Sequence, residues 1–584
     1  MARLPSVGGD DGNWGTILNQ FLQVAHNSDG TLNSVIDAYN VKDYGAKGDG
    51  TTDDTTAIQN AFNAVSTAGG GLVFFPQGTY VIASDITVPS NCTIEGAGRD
   101  SILFAKASTS PNLLNCSGSS HIIISKLQLN GNKANVTILG IQYTQENGIY
   151  LHNSDDITIR DCYIHDCMVS GIMANGGSTN IMITNCRMVS NYDNQIYIRA
   201  QNTSPYSACS YISITGCECS GGSFSGIQIL GSSYFAITGN VCYSNGPTSG
   251  QGDGIGSEGA SYGTISGNTC YNNGIQGINI RYTSEVGSNQ ASNHINVVGN
   301  TIYNHTSTGG DAGGIGVSDS NHITVATNHL FNNNFGINVA NVASLGVNDL
   351  KITGNSVKTS NDTGIRLNPG SGVTYEIDNN FVADTTNTGI HLYAKALVHD
   401  NVIPRSAGNA AIECDTGSGG SILEGNKCYD GANNGIQIDN GVAHVVCRHN
   451  YHANIQVTTQ GRGIQEASGG GPTLLEDETF SNITFQPFNL TNGSSISRRS
   501  KLINGSASGF LDQNSGSASI SAATSITVNH GLWTTPSRVE ITPTGDPGAG
   551  IRYWVSAKTS TTFTITLSAS SSVTFDWCAR TWDS

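Results

Sequence analysis

The sequence has 584 residues, a formal net charge of −17 and only 12% Asp, Glu, Lys and Arg, about half the usual charged share. A chain this long forms several domains or one elongated repeat. The scarcity of Lys and Arg excludes a general nucleic-acid binder, which needs clustered cations for phosphate, and no run of about eighteen apolar residues offers a bilayer span.

Residues 1–40 read as a leader. Met1-Ala-Arg-Leu-Pro-Ser-Val-Gly-Gly lacks the apolar stretch and small-residue cleavage site of a secretory signal. Trp14-Gly-Thr-Ile-Leu-Asn-Gln-Phe-Leu offers one short helix, and Asn27-Ser-Asp-Gly-Thr-Leu a turn. Beyond it, Val41 to Phe62 predicts a turn followed by a helix capped by Asp53 or Asp54, with Ile58, Phe62 and Val65 on one face. Such a helix closes the open end of a solenoid, which would otherwise expose apolar surface and unpaired strand edges. Gly69-Gly-Gly-Leu-Val-Phe-Phe-Pro-Gln-Gly-Thr-Tyr-Val-Ile then begins the first coils.

From about residue 148 a unit recurs: Gly-Ile-x-apolar-x, a polar turn, apolar-Thr/Ser-x-Asn-x-apolar, and another turn. Its isoleucines are Ile149, Ile172, Ile196, Ile227, Ile255, Ile278, Ile315, Ile337, Ile365, Ile390, Ile412 and Ile436, spaced 22 to 37 residues apart, the range of stacked coils. The alternation Ile-x-apolar has the strand period, with two side chains inward and their neighbours outward. A second register runs Cys162, Cys186, Cys217, Asn240, Asn268, Asn300, Asn328, Asn355, Asn380, Asn401, Asn426 and Asn450. It predicts an internal ladder of stacked amides at a tight bend, with Cys as a small filler. Cys219, Cys242, Cys270 and Cys428 form another row, so the 14 cysteines read as a reduced core rather than as disulfides or metal ligands.

Past residue 505, Ser519 to Leu532, Arg552-Tyr-Trp-Val-Ser, Thr562-Phe-Thr-Ile-Thr-Leu and Val573-Thr-Phe-Asp-Trp are alternating strands that predict a small C-terminal β-sandwich. The predicted chain is thus all-β: a leader over 1–40, a parallel β-helix with a capping helix over 41–504, and a β-sandwich-like module over 505–584.

Tyr44-Gly-Ala-Lys-Gly-Asp-Gly, the helix, and Val73-Phe-Phe-Pro-Gln-Gly-Thr-Tyr resemble the opening of the pectate-lyase-like right-handed parallel β-helix superfamily. The resemblance spans roughly residues 41 to 500. It implies a polysaccharide partner, since the superfamily includes polygalacturonase-type hydrolases, tailspike depolymerases and mannuronan C5-epimerases. The two flanks resemble leaders and C-terminal modules of phage tail proteins. That implies a secreted or virion-associated protein outside the cell, and a homotrimer, although the sequence carries no heptad or other assembly signal.

In the superfamily, sugar chains lie along one outer sheet, which directs attention to the outward positions of the Gly-Ile strands. One cluster joins Arg199, Asp253, Glu258 and Arg281. Glycoside hydrolysis needs a protonated and an ionised carboxyl about 5 to 9.5 Å apart. Asp253 and Glu258 could be that pair only if Asp253 lies in a bend, because five extended residues span about 16 Å. Long insertions after Arg199, before Asp253 and after Arg281 would raise walls around the same coils. On this reading Glu258 is the general acid, Asp253 or Asp193 the base or nucleophile, and Arg199, Arg281, Tyr197, Gln228 and Asn279 hold the sugar. The plainer reading of these residues is a solvated ion ladder.

A second cluster, Arg366, His391, Glu413, Asp415 and Asp439, occupies later coils. No cofactor is required by either cluster, but Glu413, Asp415 and Asp439 could together hold Ca²⁺, or simply form a solvated face; His152 reads as a surface histidine. β-Elimination from a uronate would use the arginines to neutralise the carboxylate, but no Lys or Tyr stands beside Glu258 as base. Where the superfamily's epimerases carry an Asp and a His, this chain has Met173 and Asn175, which argues against epimerisation. The expected function is hydrolysis of an acidic polysaccharide, with lyase action as one alternative and a non-catalytic glycan-binding or structural tail protein as the other.

Overall fold

The structure, a computed structural model, describes residues 38–581 except 137–143, 202–206, 247–251, 286–289, 308–311, 371–374, 432, 456–460, 484–485, 492–495, 499, 504–512 and 533–534. The short helix and turn expected within 1–37, the boundary at 504/505 and parts of all three long insertions therefore lie outside the described residues. The chain divides into two compact units, Met1–Met173 with Ser178–Arg187, and Ala174–Gly177 with Met188–Ser584. Both are built of short parallel strands, the right-handed parallel β-helix that the repeat predicts.

In the first unit, Ala38–Asn40 already pairs with the strand Gly71–Phe75. The predicted helix is Thr55–Ala68; it buries Ile58, Ala61, Phe62 and Val65. Asp54 occupies the cap position without capping: its carboxylate accepts from the backbone N–H groups of Lys47 at 2.6 Å and Gly48 at 3.0 Å. Asp53 instead accepts from Thr55 N at 3.1 Å. Phe62 packs 6.5 Å from Phe75, which meets Tyr80 edge-on at 5.5 Å, so the helix seals the first coils with aromatic surface. Ile149–His152, Asp155–Arg160 and Tyr163–His165 form one coil. Each pairs in parallel with a strand of the coil before it.

In the second unit a coil consists of three strands, for example Ile227–Leu230, Ser233–Thr238 and Val241–Tyr243. We call the three resulting sheets A, B and C in that order. Each strand pairs with its counterpart one coil on: Ile227 with Ile255, Phe235 with Gly263, Cys242 with Cys270. The repeat isoleucines are all fully buried. The register also continues past Ile436 to Ile464 and Phe488.

The asparagine ladder occupies the bend between sheets B and C. Asn240 donates its amide to Asn268 Oδ1 at 3.0 Å and to the Ile214 carbonyl at 2.9 Å, and the pattern repeats down to Asn450. The ladder ends on a residue outside the predicted row, Glu478, which accepts from Asn450 Nδ2 at 3.0 Å and lies 3.0 Å from His452 Nε2. All 14 cysteines but Cys578 are buried, with Cys219, Cys242 and Cys270 aligned in sheet C.

The C-terminal module is a four-stranded antiparallel sheet. The two strands expected at 562–567 and 573–577 are one strand, Thr562–Arg580, since Ser568 to Ser572 holds no Gly or Pro to break it. Its partner Gln513–Asn529 slips register near Ala523, and such bulges bend strands. Phe563 and Trp577 would be about 46 Å apart in a straight strand, yet their rings meet at 5.2 Å. The long strands therefore fold back, and both halves of the sheet enclose one core containing Ile520, Val528, Phe563, Ile565, Phe575 and Trp577, a sandwich made by bending.

Candidate functional site

Register fixes which outward side chains of sheet A are neighbours. One row runs Tyr197, Gln228, Gly256, Asn279, Gly316, Asn338, Arg366, His391, Glu413, Gln437, Gln465, Asn489. A second runs Arg199, Leu230, Glu258, Arg281. Successive members stand about 4.8 Å apart. Gly256 and Gly316 serve their neighbours: a Cβ at either would collide with the amide of Gln228 or Gln276 lying across it.

Glu258 and Arg281 are adjacent and form an ion pair. They open onto a cleft of about 470 Å³ whose lining includes Gln276, Asn279, Glu285 and Asn338. Glu285 follows the strand Gln276–Arg281 and lies 3.7 Å from Arg199, whose guanidinium also stands 5.4 Å from the Tyr197 ring. Two carboxylates with opposite environments thus share the cleft: the Glu258 side chain is 12% exposed and that of Glu285 is 54% exposed. Burial lifts the Glu258 carboxyl above the usual range, outweighing the pull of Arg281.

Asp253 does lie in the bend before Ile255–Glu258, but it is turned away from the cleft and onto the next coil. Its carboxylate accepts from Asn279 Nδ2 at 3.0 Å and Gln276 N at 3.2 Å, two groups on the cleft's own strand. Burial pushes its pKa up to about 6 against the opposing effects of Arg281 and Asn279. Asp193 is likewise buried and raised to about 6 by desolvation. Neither acid lines the cleft, and neither do Tyr197, Gln228 or Arg199; the cleft brings together Glu258, Arg281 and Asn279 from the expected set. Glu285 and Gln276 are polar lining residues that the sequence did not single out. The signal for Glu285 was the insertion after Arg281, a loop outside any register.

The second cluster assembles around His391. Its ring stacks on Tyr393 at 4.3 Å, with Nδ1 3.7 Å from Glu413 and Nε2 3.5 Å from Asp415. The Arg366 guanidinium lies 5.7 Å from the Tyr393 ring. The predicted Ca²⁺ ligands do not converge. Glu413 accepts from Thr388 Oγ1 at 2.7 Å and Asn409 at 3.1 Å, and Asp439 from Gln437 at 2.9 Å, so neutral donors of the chain already engage these two. Among the described residues the metal-type group whose ligand atoms do gather, within 4.8 Å, is Glu376, Asp378 and His399 on sheet B. There the Lys351 ammonium already stands 3.0 Å from Glu376 and 3.8 Å from Asp378. His152 belongs to the first unit, half-buried and stacked 6.3 Å from Tyr150; Met173 is fully buried and Asn175 nearly so. No helix among the described residues is long and apolar enough to cross a membrane.

Coils of three parallel sheets, an internal ladder and a polar outer row define a right-handed parallel β-helix protein. The family model described as the right handed beta helix region matches residues 205–348 and 336–507; these cover just over half the chain, which belongs to that family. A second model, rhamnogalacturonase A/epimerase, pectate lyase-like, matches residues 38–275. Alginate lyase 7 of Azotobacter vinelandii is 55% identical over 67 residues, covering 10% of this chain and 8% of that protein. The pre-neck appendage protein of Bacillus phage phi29 is 32% identical over 139 residues, 21% of this chain and 16% of that protein. The chain thus spans under a fifth of these curated relatives. The A-module of a mannuronan C-5 epimerase of A. vinelandii aligns over 79% of this chain and 100% of that module, at 17% identity and a TM-score of 0.38.

Proposed function

We propose that the protein is a polysaccharide depolymerase working outside the cell or on a virus particle, hydrolysing glycosidic bonds of an acidic polysaccharide in the Glu258 cleft. The observation that carries this reading is the pair of unlike carboxylates facing one cleft. Glu258, buried and raised by desolvation, holds the proton that a leaving glycosidic oxygen needs. Glu285, exposed and beside Arg199, is the second carboxylate, activating water or attacking the sugar. Arg281 orients Glu258 and meets a sugar carboxylate. Asn279 and Gln276 offer amides to sugar hydroxyls, and Asp253 holds the Asn279 side chain and the Gln276 backbone N–H from behind. Glu285 replaces Asp253 and Asp193 as the second carboxylate because those two are buried away from the cleft.

The test is reducing-end release from a panel of acidic polysaccharides. Glu258→Gln should lower the rate by about 10²- to 10⁴-fold, the usual worth of general acid catalysis, and Glu285→Gln should do the same. Unchanged rates in both variants would overturn the assignment.

β-Elimination is the second reading, favoured by the similarity to an alginate lyase and by Arg366, His391 and Tyr393 standing together. A guanidinium to neutralise a uronate and a paired imidazole and phenol to move protons are the parts that reaction uses. It would yield an unsaturated uronide, absent from hydrolysis, and the product would vanish in Tyr393→Phe rather than in Glu258→Gln. Tight glycan binding without either product would instead favour a non-catalytic appendage or adhesin.

A further inference from the structure

We propose that a second cleft, well removed from Glu258 on the same outer sheet, binds the hydroxyl-rich face of the polysaccharide chain that enters the first. This rests on the reading of the Glu258 cleft as a polysaccharide site and adds to it a preference for long chains.

The second cleft holds about 620 Å³, and its lining includes Glu413, Gln437, Gln465, Asn489, Asn434 and Arg462. The first four are consecutive members of the outward row of sheet A. Such a row costs the fold effort without any packing benefit, since amides and carboxylates facing outward contribute little to a core. Their chemistry suits a sugar. An amide presents a donor and an acceptor side by side, and a carboxylate accepts from two hydroxyls at once. The lining is held in place by its own bonds: Asn409 and Thr388 fix Glu413. Asn434 donates to Gln437 at 2.7 Å and Gln437 to Asp439 at 2.9 Å. Asn489 donates to Gln465 at 3.3 Å. Side chains locked by neighbours lose little entropy on binding. Arg462, half-buried and with its pKa lowered by desolvation, is the one lining cation of this cleft among the described residues.

Position links the two clefts. From Gly256, next to Glu258, the row passes through Asn279, Gly316, Asn338, Arg366 and His391 to Glu413. Six steps of about 4.8 Å make about 29 Å. Every side chain along this path is polar or is glycine, so a glycan lying parallel to the coil stack meets hydrogen-bonding groups throughout. A short oligosaccharide reaches one cleft, and a long chain engages both, with the second contact made at high effective concentration.

The experiment measures binding directly, with the full chain carrying Glu258→Gln so that the probe survives. Probes are polymannuronate, polyguluronate, polygalacturonate and neutral dextran, each as polymer and as trisaccharide, and melting curves verify the fold of each variant. Gln437→Ala combined with Arg462→Ala should lower the polymer-to-trisaccharide affinity ratio by about tenfold, the worth of one or two hydrogen bonds including a charged one. Arg462→Lys should restore part of the loss if the probe is anionic. An unaltered ratio, or no binding of any probe, overturns the proposal. Binding that behaves as expected in a protein that never cuts a chain would sink the depolymerase reading and leave the second cleft standing.

Discussion

Asp253 and Asp193 are carboxyls that the fold buries at a cost, and the cost depends on pH. The pKa of each is raised from 3.8 to about 6. Between those values the folded protein keeps protons that the unfolded chain has released, so stability falls as pH rises through this window and the loss is complete above it. The size is about 3 kcal/mol at most for each group. Melting temperature measured from pH 4 to 7 should therefore decline in the wild type through these two groups, and Asp253→Asn should remove about half of that contribution. Parallel wild-type and variant curves would show that Asp253 is ionised in the fold throughout. Glu258, Arg281 and Asn279 could be read from the sequence because they sit on adjacent strands whose inward residues are Ile255 and Ser257 in one and Ile278 and Ile280 in the other, and period two then dictates which residues face out. Asp253 is visible in the sequence, but the way its side chain faces is not. Its direction is set by Asn279 and Gln276 on the next coil, a contact spanning more than twenty residues that no local pattern encodes.

The asparagine ladder is the element on which the coils depend most visibly. Asn300, fully buried, donates to the Ile265 carbonyl and to Asn328, and its oxygen accepts from both the backbone and side chain of Asn268. Asn300→Ala should cost about 3 kcal/mol in chemical denaturation, because it strands buried partners as well as losing its own bonds. A cost under about 1 kcal/mol would mean that coils stack by strand pairing alone. In the first unit, Phe62→Ala on the capping helix should cost about 3 to 5 kcal/mol. These elements were legible because stacking repeats one demand every coil: a strand with inward Ile, then a bend that only Asn or a small residue fits. Where the demand changes, the pattern misleads. The ladder ends on Glu478, paired to His452, rather than on another Asn. The C-terminal module turns its corner by register slippage instead of by a turn sequence.

At the scale of the whole molecule, a net charge of −17 faces a substrate proposed to be acidic. Arg281 of the first cleft acts within a few ångströms, whereas the net charge acts across the screening length. That length shrinks from about 30 Å at 0.01 M salt to about 8 Å at 0.15 M. Added salt over this range should raise kcat/KM on an acidic polymer, since it screens long-range repulsion more than the close contact. A fall with salt would point to a substrate held mainly by exposed cations. The fold class could be read from composition and repeat, because a solenoid writes its architecture into every coil. The reaction could not, since a fold does not fix the chemistry of the side chains it presents. The central claim is that Glu258 donates a proton to a glycosidic oxygen. It is tested most directly by incubating wild type and Glu258→Gln with acidic polysaccharides while following reducing ends and unsaturated uronide together. The account predicts reducing ends without uronide from the wild type and neither from the variant. Uronide as the product, or equal rates from both proteins, would contradict it.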